Sequence, residues 1–254
     1  MDIFQSIIMG IVEGFTEFLP VSSTGHMIVT ADFLGIKQDS MTKAYEVIIQ
    51  FAAILAVVLH YKEKFTIRKV DFLSKLFIAF LPLATIGFLF SKQIKGLFNL
   101  HIVAIMFIVG GIAFLIAEKF YVEKEGFVDD VEQLSYKQAF LIGLAQVLGL
   151  VPGTSRSGST IITGMFLGLT RKASAEFSFL LAVPVMSAAT AYDIWKHYHE
   201  FNVDNLIVLG VGFVVSFVVA YATITLFLQF LRRFTFVSFG IYRIIFGALL
   251  LSLY

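Results

Sequence analysis

Residues Glu13–His26, EGFTEFLPVSSTGH, decide how this chain folds. Two carboxylates, a cluster of hydroxyls and a histidine sit in a sequence that is 58% hydrophobic and only 15% charged. Soluble domains carry about 25% charged residues. Pro20, followed by Ser22, Ser23, Thr24 and Gly25, cuts the surrounding apolar region into halves too short to cross a bilayer, which takes roughly 20 residues. Irregular backbone at membrane depth survives only when protein shields it or a wet cavity borders it. The stretch therefore predicts a broken, re-entrant helix-loop-helix in an all-α, polytopic membrane protein.

Working outward, five segments read as full spans, at roughly 72–90, 101–117, 174–195, 206–230 and 236–253. A sixth, at about 44–60, reads as shorter and carries Glu46 and Gln50. The region 137–169 is broken near its middle as 3–35 is, by VPGTSRSGST (Val151–Thr160). No basic region precedes the first apolar stretch, so a cleavable signal peptide is not expected. The chain has no cysteine, which excludes disulfide and thiolate chemistry. A net charge of +1 gives no reason to expect a nucleic-acid partner.

The two broken regions also match each other. An offset of 133 places Gln5 on Gln138, Gly10 on Gly143, Ser22 on Ser155 and Gly25 on Gly158. Seven of the fourteen residues from Ser22 to Gly35 are identical to their counterparts. Each hairpin precedes three spans, so one membrane domain over 1–254 is predicted, built from repeats at about 1–120 and 136–254. An odd number of crossings inverts the second copy, a design whose sites gather near the midplane where broken helices meet. Lys and Arg set the orientation. Twelve of them, among them Lys62, Lys64, Arg68, Arg171 and Arg232, fall on one face, and Lys37, Lys43, Lys92, Lys95 and Lys196 on the other. The richer face is the cytoplasmic one, which leaves both termini and the first hairpin's entry outside.

The hairpins hold the chemistry. Glu13 and Glu17 lie one helical turn apart on one face. Two carboxylates there repel and are costly in lipid, which a divalent cation between them or basic partners would relieve. Oxygen ligands suit Mg²⁺ or Ca²⁺. Ser22, Ser23, Thr24 and Gly25 lead into a new helix, whose N-terminal N–H groups would bind an anion such as phosphate. His26, just inside it, is a candidate acid or base. In the second hairpin, Arg156 takes the place of Ser23; its planar fork fits phosphate oxygens, and Glu13 is its candidate structural partner. Thr154, Ser155, Ser157 and Ser159 would surround an anion, with Gly158 letting the backbone approach. Glu46, Gln50, Gln146 and Glu176 are candidates for a supporting shell or for helix packing. Arg243 in the last span reads either as a headgroup contact or as a buried pair. Metal, arginine and a positioned nucleophile together suit phosphoryl transfer on a lipid bearing a phosphate or diphosphate.

At these residues the chain resembles the bacterial undecaprenyl-diphosphate phosphatase family of the bacitracin-resistance type. EGFTEFLPVSSTGH resembles the family's first motif and PGTSRSGST its second, and EFSFLLAVP (Glu176–Pro184) and IYR (Ile241–Arg243) also match. The resemblance implies metal-dependent hydrolysis of undecaprenyl diphosphate to the monophosphate in the bacterial cytoplasmic membrane. It makes Glu13 and Glu17 the acidic pair, Ser23 and His26 the reactive loop residues and Arg156 the diphosphate clamp. Serine, histidine or an activated water remain alternative attacking groups, with Ser23 preferred and His26 or Glu17 handling protons. The partners implied are the polyprenyl diphosphate lipid and the bilayer, with a homodimer compatible.

A polyprenyl-phosphate transporter or flippase is the alternative, since broken helices in inverted repeats also build transporters; phosphate release separates the two. The phosphatidic-acid phosphatase type 2 class is excluded, because the chain has no Arg-Pro pair and no His followed four residues on by Asp.

Overall fold

The computed structural model describes residues 1–37, 39–197 and 203–253. Its helices are α1 (Ile3–Thr16), α2 (Ser23–Phe33), α3 (Ser40–His60), α4 (Val70–Leu89), α5 (Ser91–Lys95), α6 (Leu100–Phe120), α7 (Tyr136–Gln146), α8 (Arg156–Phe166), α9 (Arg171–His197), α10 (Val203–Leu231) and α11 (Val237–Leu253). Short 3₁₀ turns occupy Ile67–Lys69, Val131–Gln133 and Val147–Leu150. Among the described residues, five helices are long and apolar enough to cross a membrane: α3, α4 with the turn before it, α6, α9 and α10. Large apolar side chains such as Phe4, Phe33, Phe77, Phe88, Val218 and Leu226 stay exposed on the protein's outside, as lipid-facing side chains do.

Two expected spans differ in length from the sequence reading. The segment expected as short, at 44–60, is a full 21-residue helix. Asp39 caps it, its carboxylate accepting from the Thr42 N–H at 2.8 Å, so the polar Ser40-Met41-Thr42-Lys43 turn joins the helix. The segment expected to span at 236–253 forms a 17-residue helix, at the lower limit of spanning length.

The two hairpins form for the same local reasons. Asp2 caps α1 and Ser135 caps α7, each in a reciprocal capping box with the glutamine three residues on, Gln5 or Gln138. The same glutamines donate across their hairpins, Gln5 to the Leu34 carbonyl at 3.1 Å and Gln138 to that of Leu167 at 2.9 Å. Each bond ties the start of a hairpin's first helix to the end of its second. Both second helices are capped by a serine in the left-handed region, Ser22 at φ 70° and Ser155 at φ 75°. Their hydroxyls accept from Gly25 at 3.4 Å and Gly158 at 3.0 Å. Each hairpin then closes on a left-handed glycine, Gly35 or Gly168.

Helix packing follows the same correspondence. α1 lies against α10 and α7 against α4; α3 meets α9, and α6 meets α11. The crossings are close because they are made by small residues. A Cβ on Gly14 would come 2.5 Å from the Ser216 carbonyl oxygen, and one on Gly143 would run into Ala79. The main apolar core joins Phe18, Phe72, Phe114, Phe179, Phe227 and Phe236 across both halves.

The segment between α6 and α7 is tied down by charge. Lys64 meets Asp130 at 3.2 Å and Glu132 at 2.6 Å, Lys69 meets Glu132 at 2.6 Å, and Lys75 donates to the Glu132 carbonyl at 2.9 Å. Val128 and Leu169 form an isolated parallel bridge. Arg171 pairs with Glu118 at 2.6 Å, and Glu118 also accepts from the Phe236 N–H at 2.8 Å.

Candidate functional site

The hairpin tips meet. Pro20 has no N–H to continue a helix, and the Val21 N–H instead reaches the Leu19 carbonyl at 2.7 Å. In the second tip, Gly153 adopts φ 89°, where a Cβ would come 2.6 Å from the Val103 carbonyl oxygen. Only glycine fits both that backbone and that contact. Ser157 donates from its hydroxyl to the Leu19 carbonyl at 3.1 Å, joining one tip to the other.

Glu17 is the centre of this junction. One carboxylate oxygen accepts from the Ser23 hydroxyl at 2.5 Å. The other pairs with Arg156 at 2.7 Å, with both side chains nearly buried, 3% and 9% exposed. The acidic partner of Arg156 is thus Glu17, where the sequence had offered Glu13. Arg156 also donates to the Ser178 carbonyl at 2.8 Å, while its buried Nε has no partner.

A polar pocket of about 290 Å³ opens at this point. Glu17, Ser22, Ser23 and Thr24 line it from the first hairpin, and Ser155, Arg156 and Ser157 from the second. Gln50 of α3, Ile94 of α5 and Phe98 just after it also line the pocket, with apolar residues such as Leu83, Leu150, Val185 and Met186. The first amides of α2 and of α8 have no acceptor within their helices, so two N-terminal dipole ends converge here, the arrangement an anion needs. Holding Ser22 and Ser155 left-handed costs of order 1–3 kcal/mol each, strain that gathers at the wall of this pocket.

The other sequence candidates are placed differently. Ser159 turns back to the Ser155 carbonyl at 3.1 Å, and Gly158 packs against Phe114. Thr154 has a buried hydroxyl without a partner. Gly25 lies against Phe107, where a Cβ would collide. Glu13 is fully buried and neither of its carboxylate oxygens has a hydrogen-bond partner. Glu17, Glu46 and Arg156 are its charged neighbours. Gln146, its counterpart at the offset of 133, is also fully buried with both amide atoms unpartnered. Glu176 stands apart, near Lys172, Lys64, Asp129 and Asp130.

His26 faces away from Ser23. Its ring stacks on Tyr242 and Phe246 with Phe107 edge-on. Nδ1 lies 2.8 Å from the Ser22 carbonyl and Nε2 2.6 Å from the Tyr242 hydroxyl. A carbonyl only accepts, so Nδ1 carries the proton, and Nε2 of the neutral ring accepts from Tyr242. His26 thereby lines a second cavity, an apolar groove of about 800 Å³ walled by Ile11, Phe15, Leu19, Val21, Phe33, Tyr242 and Phe246. The first loop is the partition: Leu19 and Val21 face the groove, and Glu17, Ser22 and Ser23 face the polar pocket.

Sequence reasoning missed Tyr242, Phe107 and Ser178. Tyr242 adjoins Arg243 within the IYR match, and Ser178 lies inside EFSFLLAVP. Those matches carried the only signal for them, because neither residue is unusual for a membrane helix.

A divalent cation is compatible with the donors present. Among the described residues no group of three or more His, Asp or Glu side chains is arranged to hold a metal ion. Glu13, however, offers two buried oxygens without partners, beside Glu17. Mg²⁺ typically uses one or two carboxylates and completes its shell with water and substrate phosphate.

Comparison with known proteins gives this constellation a context. A family model described as bacitracin resistance protein BacA matches residues 6–249. The chain is 64% identical over 252 residues to an undecaprenyl-diphosphatase from Sulfurimonas denitrificans, covering 99% of this chain and 98% of that protein. It is 61% identical over 253 residues to an undecaprenyl-diphosphatase from a Sulfurovum species, covering 100% of both. With undecaprenyl-diphosphatase 2 from Pseudoalteromonas translucida the identity is 58% over 253 residues, 100% of this chain and 99% of that protein.

Proposed function

The chain belongs to the bacitracin resistance protein BacA family, and on that premise we propose that it hydrolyses undecaprenyl diphosphate to undecaprenyl phosphate and phosphate, recycling the carrier lipid for cell-wall synthesis. It is a multi-pass membrane enzyme. The single observation that carries the mechanism is Glu17, bonded at once to the Ser23 hydroxyl and to Arg156 between two helix N-termini.

Ser23 is the nucleophile. Its hydroxyl oxygen bonds to the terminal phosphorus as its proton passes to Glu17, the group it already touches. The bond to the bridging oxygen breaks, and undecaprenyl phosphate leaves. Water then cleaves the serine phosphoester and releases phosphate. Arg156 and the amides heading α2 and α8 hold the phosphate oxygens where charge builds up, the largest contribution such sites make. His26 contributes by fixing the loop: its bond to the Ser22 carbonyl holds the residue beside the nucleophile, and its ring closes the wall of the apolar groove. Glu13 and Glu17 would hold a divalent cation, Mg²⁺ or Ca²⁺, which would supply charge neutralisation on the diphosphate. The apolar groove on the other side of the first loop suits the prenyl chain of such a lipid.

In this reading each hairpin is re-entrant, and residues 1–120 and 136–254 form inverted repeats within one membrane domain. The paired capping boxes, the cross-hairpin glutamine bonds and the matched packing of α1 on α10 and α7 on α4 support it. Both termini and the site face the outside of the cytoplasmic membrane. The excess of Lys and Arg on the other face supports this, as does the lining of the polar pocket by Ile94 and Phe98, neighbours of Lys92 on the basic-poor side. Phosphate release from undecaprenyl diphosphate by detergent-purified protein tests the reaction. Ser23→Ala with near-normal turnover would remove the serine from its role.

A further inference from the structure

Among the described residues Arg243 is the largest fully buried side chain, and the proposed chemistry does not use it. Its guanidinium is held by main-chain carbonyls: Nη1 donates to Pro20 at 3.1 Å, and Nη2 to Met106 at 2.9 Å, Gly153 at 2.8 Å and Thr154 at 3.1 Å. Pro20 belongs to the first tip and Gly153 and Thr154 to the second, so one side chain of α11 grips both. The Phe107 ring lies 5.3 Å from it. Among the described residues no carboxylate comes within salt-bridge distance, and its Nε has no partner.

A buried arginine whose role is only structural is normally matched by an acid, because an uncompensated charge away from water is expensive. Here carbonyl dipoles alone oppose it, and positive charge remains. In a trans peptide the N–H points opposite to the C=O. Turning the Thr154 carbonyl toward Arg243 therefore turns the Ser155 N–H edge of the same peptide away from it, while the Val21 and Thr154 N–H groups of the other two tip peptides close their own turns on the Leu19 and Val151 carbonyls. The repeat explains why a single arginine serves both tips. The counterpart of Arg243 at the offset of 133 is Gly110, and a Cβ on Gly110 would collide with the Arg243 guanidinium. One copy supplies the cation and the other supplies the space for it.

We propose that Arg243 is a positioning residue of the diphosphate site, pinning the two hairpin tips to each other through their carbonyls and placing an uncompensated positive charge behind them. The inference rests on the tips being the diphosphate site. It separates two functions of one residue, the charge, which lysine keeps, and the fork, which lysine loses.

Full-length protein in detergent, with Arg243→Lys, Arg243→Gln and Gly110→Ala variants, provides the test. Inorganic pyrophosphate is the binding probe, and kcat and KM are measured on undecaprenyl diphosphate. Arg243→Gln and Gly110→Ala are expected to bind pyrophosphate at least tenfold more weakly and to raise KM in parallel. Arg243→Lys is expected to keep pyrophosphate affinity within about threefold while kcat falls at least tenfold, because one tip is released. A residue that merely fills space would lower the unfolding temperature of all three and leave affinity and KM unchanged in the folded fraction. Wild-type kcat in Arg243→Lys would overturn the proposal even if the other two variants fail to fold. So would unchanged pyrophosphate affinity in a folded Arg243→Gln. If wild-type protein binds pyrophosphate but releases no phosphate from the lipid, the assigned reaction fails while the pyrophosphate comparison still decides the role of Arg243.

Discussion

Glu17 carries two bonds at once, one on each carboxylate oxygen. Its contact with Ser23 needs a proton acceptor, and its contact with Arg156 needs a charge. Glu17→Gln keeps the shape and removes both. Turnover is expected to fall by about 10²-fold or more, the usual scale for a positioned general base, and the unfolding temperature to fall with it, because the nearly buried Arg156 loses its acidic partner. His26 is a different case, because both ring nitrogens are engaged and three aromatic rings enclose it. His26→Ala is expected to lower thermal stability and turnover together, whereas Ser23→Ala lowers turnover alone; melting and rate curves on the same preparations distinguish them. The sequence identified Glu17, Ser23 and Arg156 because charge and hydroxyls are conspicuous in an apolar chain. It could not assign the partner of Arg156, since Glu13 and Glu17 share one helical face and only the fold at Pro20 decides which one reaches across. The orientation of His26 was equally hidden. Its partners Tyr242 and Phe107 are more than 80 residues away in sequence and look like ordinary membrane-helix aromatics.

At the scale of elements, the hairpins were legible from the chain because their signals are local: a cap, a glutamine three residues on, a serine and a closing glycine, all repeated at one offset. Span ends were less legible. Hydropathy records where apolar residues lie, and Asp39 extends α3 through polar residues that such a window rejects. Crossings of small residues are likewise invisible until the helices pack. Gly14→Val is expected to destabilise the protein by about 1–3 kcal/mol, because its Cβ has no room against α10; thermal unfolding in detergent measures this. The segment between α6 and α7 has a separate weakness. The N–H of Glu132, then Lys64, hold the Asp130 carboxyl below its usual range, and Lys64 and Lys69 do the same for Glu132. Carboxyls lowered in the folded state add stability that is complete above about pH 5 and is lost as pH falls through their lowered values. Asp130 is half exposed and Glu132 about a quarter exposed, with side-chain exposures of 50% and 24%, so each solvent-screened ion pair contributes at most about 1 kcal/mol. Glu132→Gln is expected to flatten that acid-side loss without changing turnover at neutral pH, as read from melting temperature against pH.

The whole molecule unites two hairpins of unlike chemistry. One keeps the carboxylates and the serine, and the other supplies the arginine that holds one of those carboxylates. Bringing them together places a polar pocket behind a wall of loop, with an apolar groove on the other side. The absence of cysteine makes the orientation directly measurable. A single cysteine at position 37 is expected to react with an impermeant thiol reagent from outside intact cells, and one at position 62 only after permeabilisation; the reverse pattern would invert the topology. The central claim is that the two tips make one phosphatase site, and the most direct test is phosphate release from undecaprenyl diphosphate by wild type, Glu17→Gln and Arg156→Ala with Mg²⁺ or Ca²⁺ present. The account predicts release by wild type, abolished by a chelator, and a loss of about 10²-fold or more in each variant; release retained in both variants would contradict it.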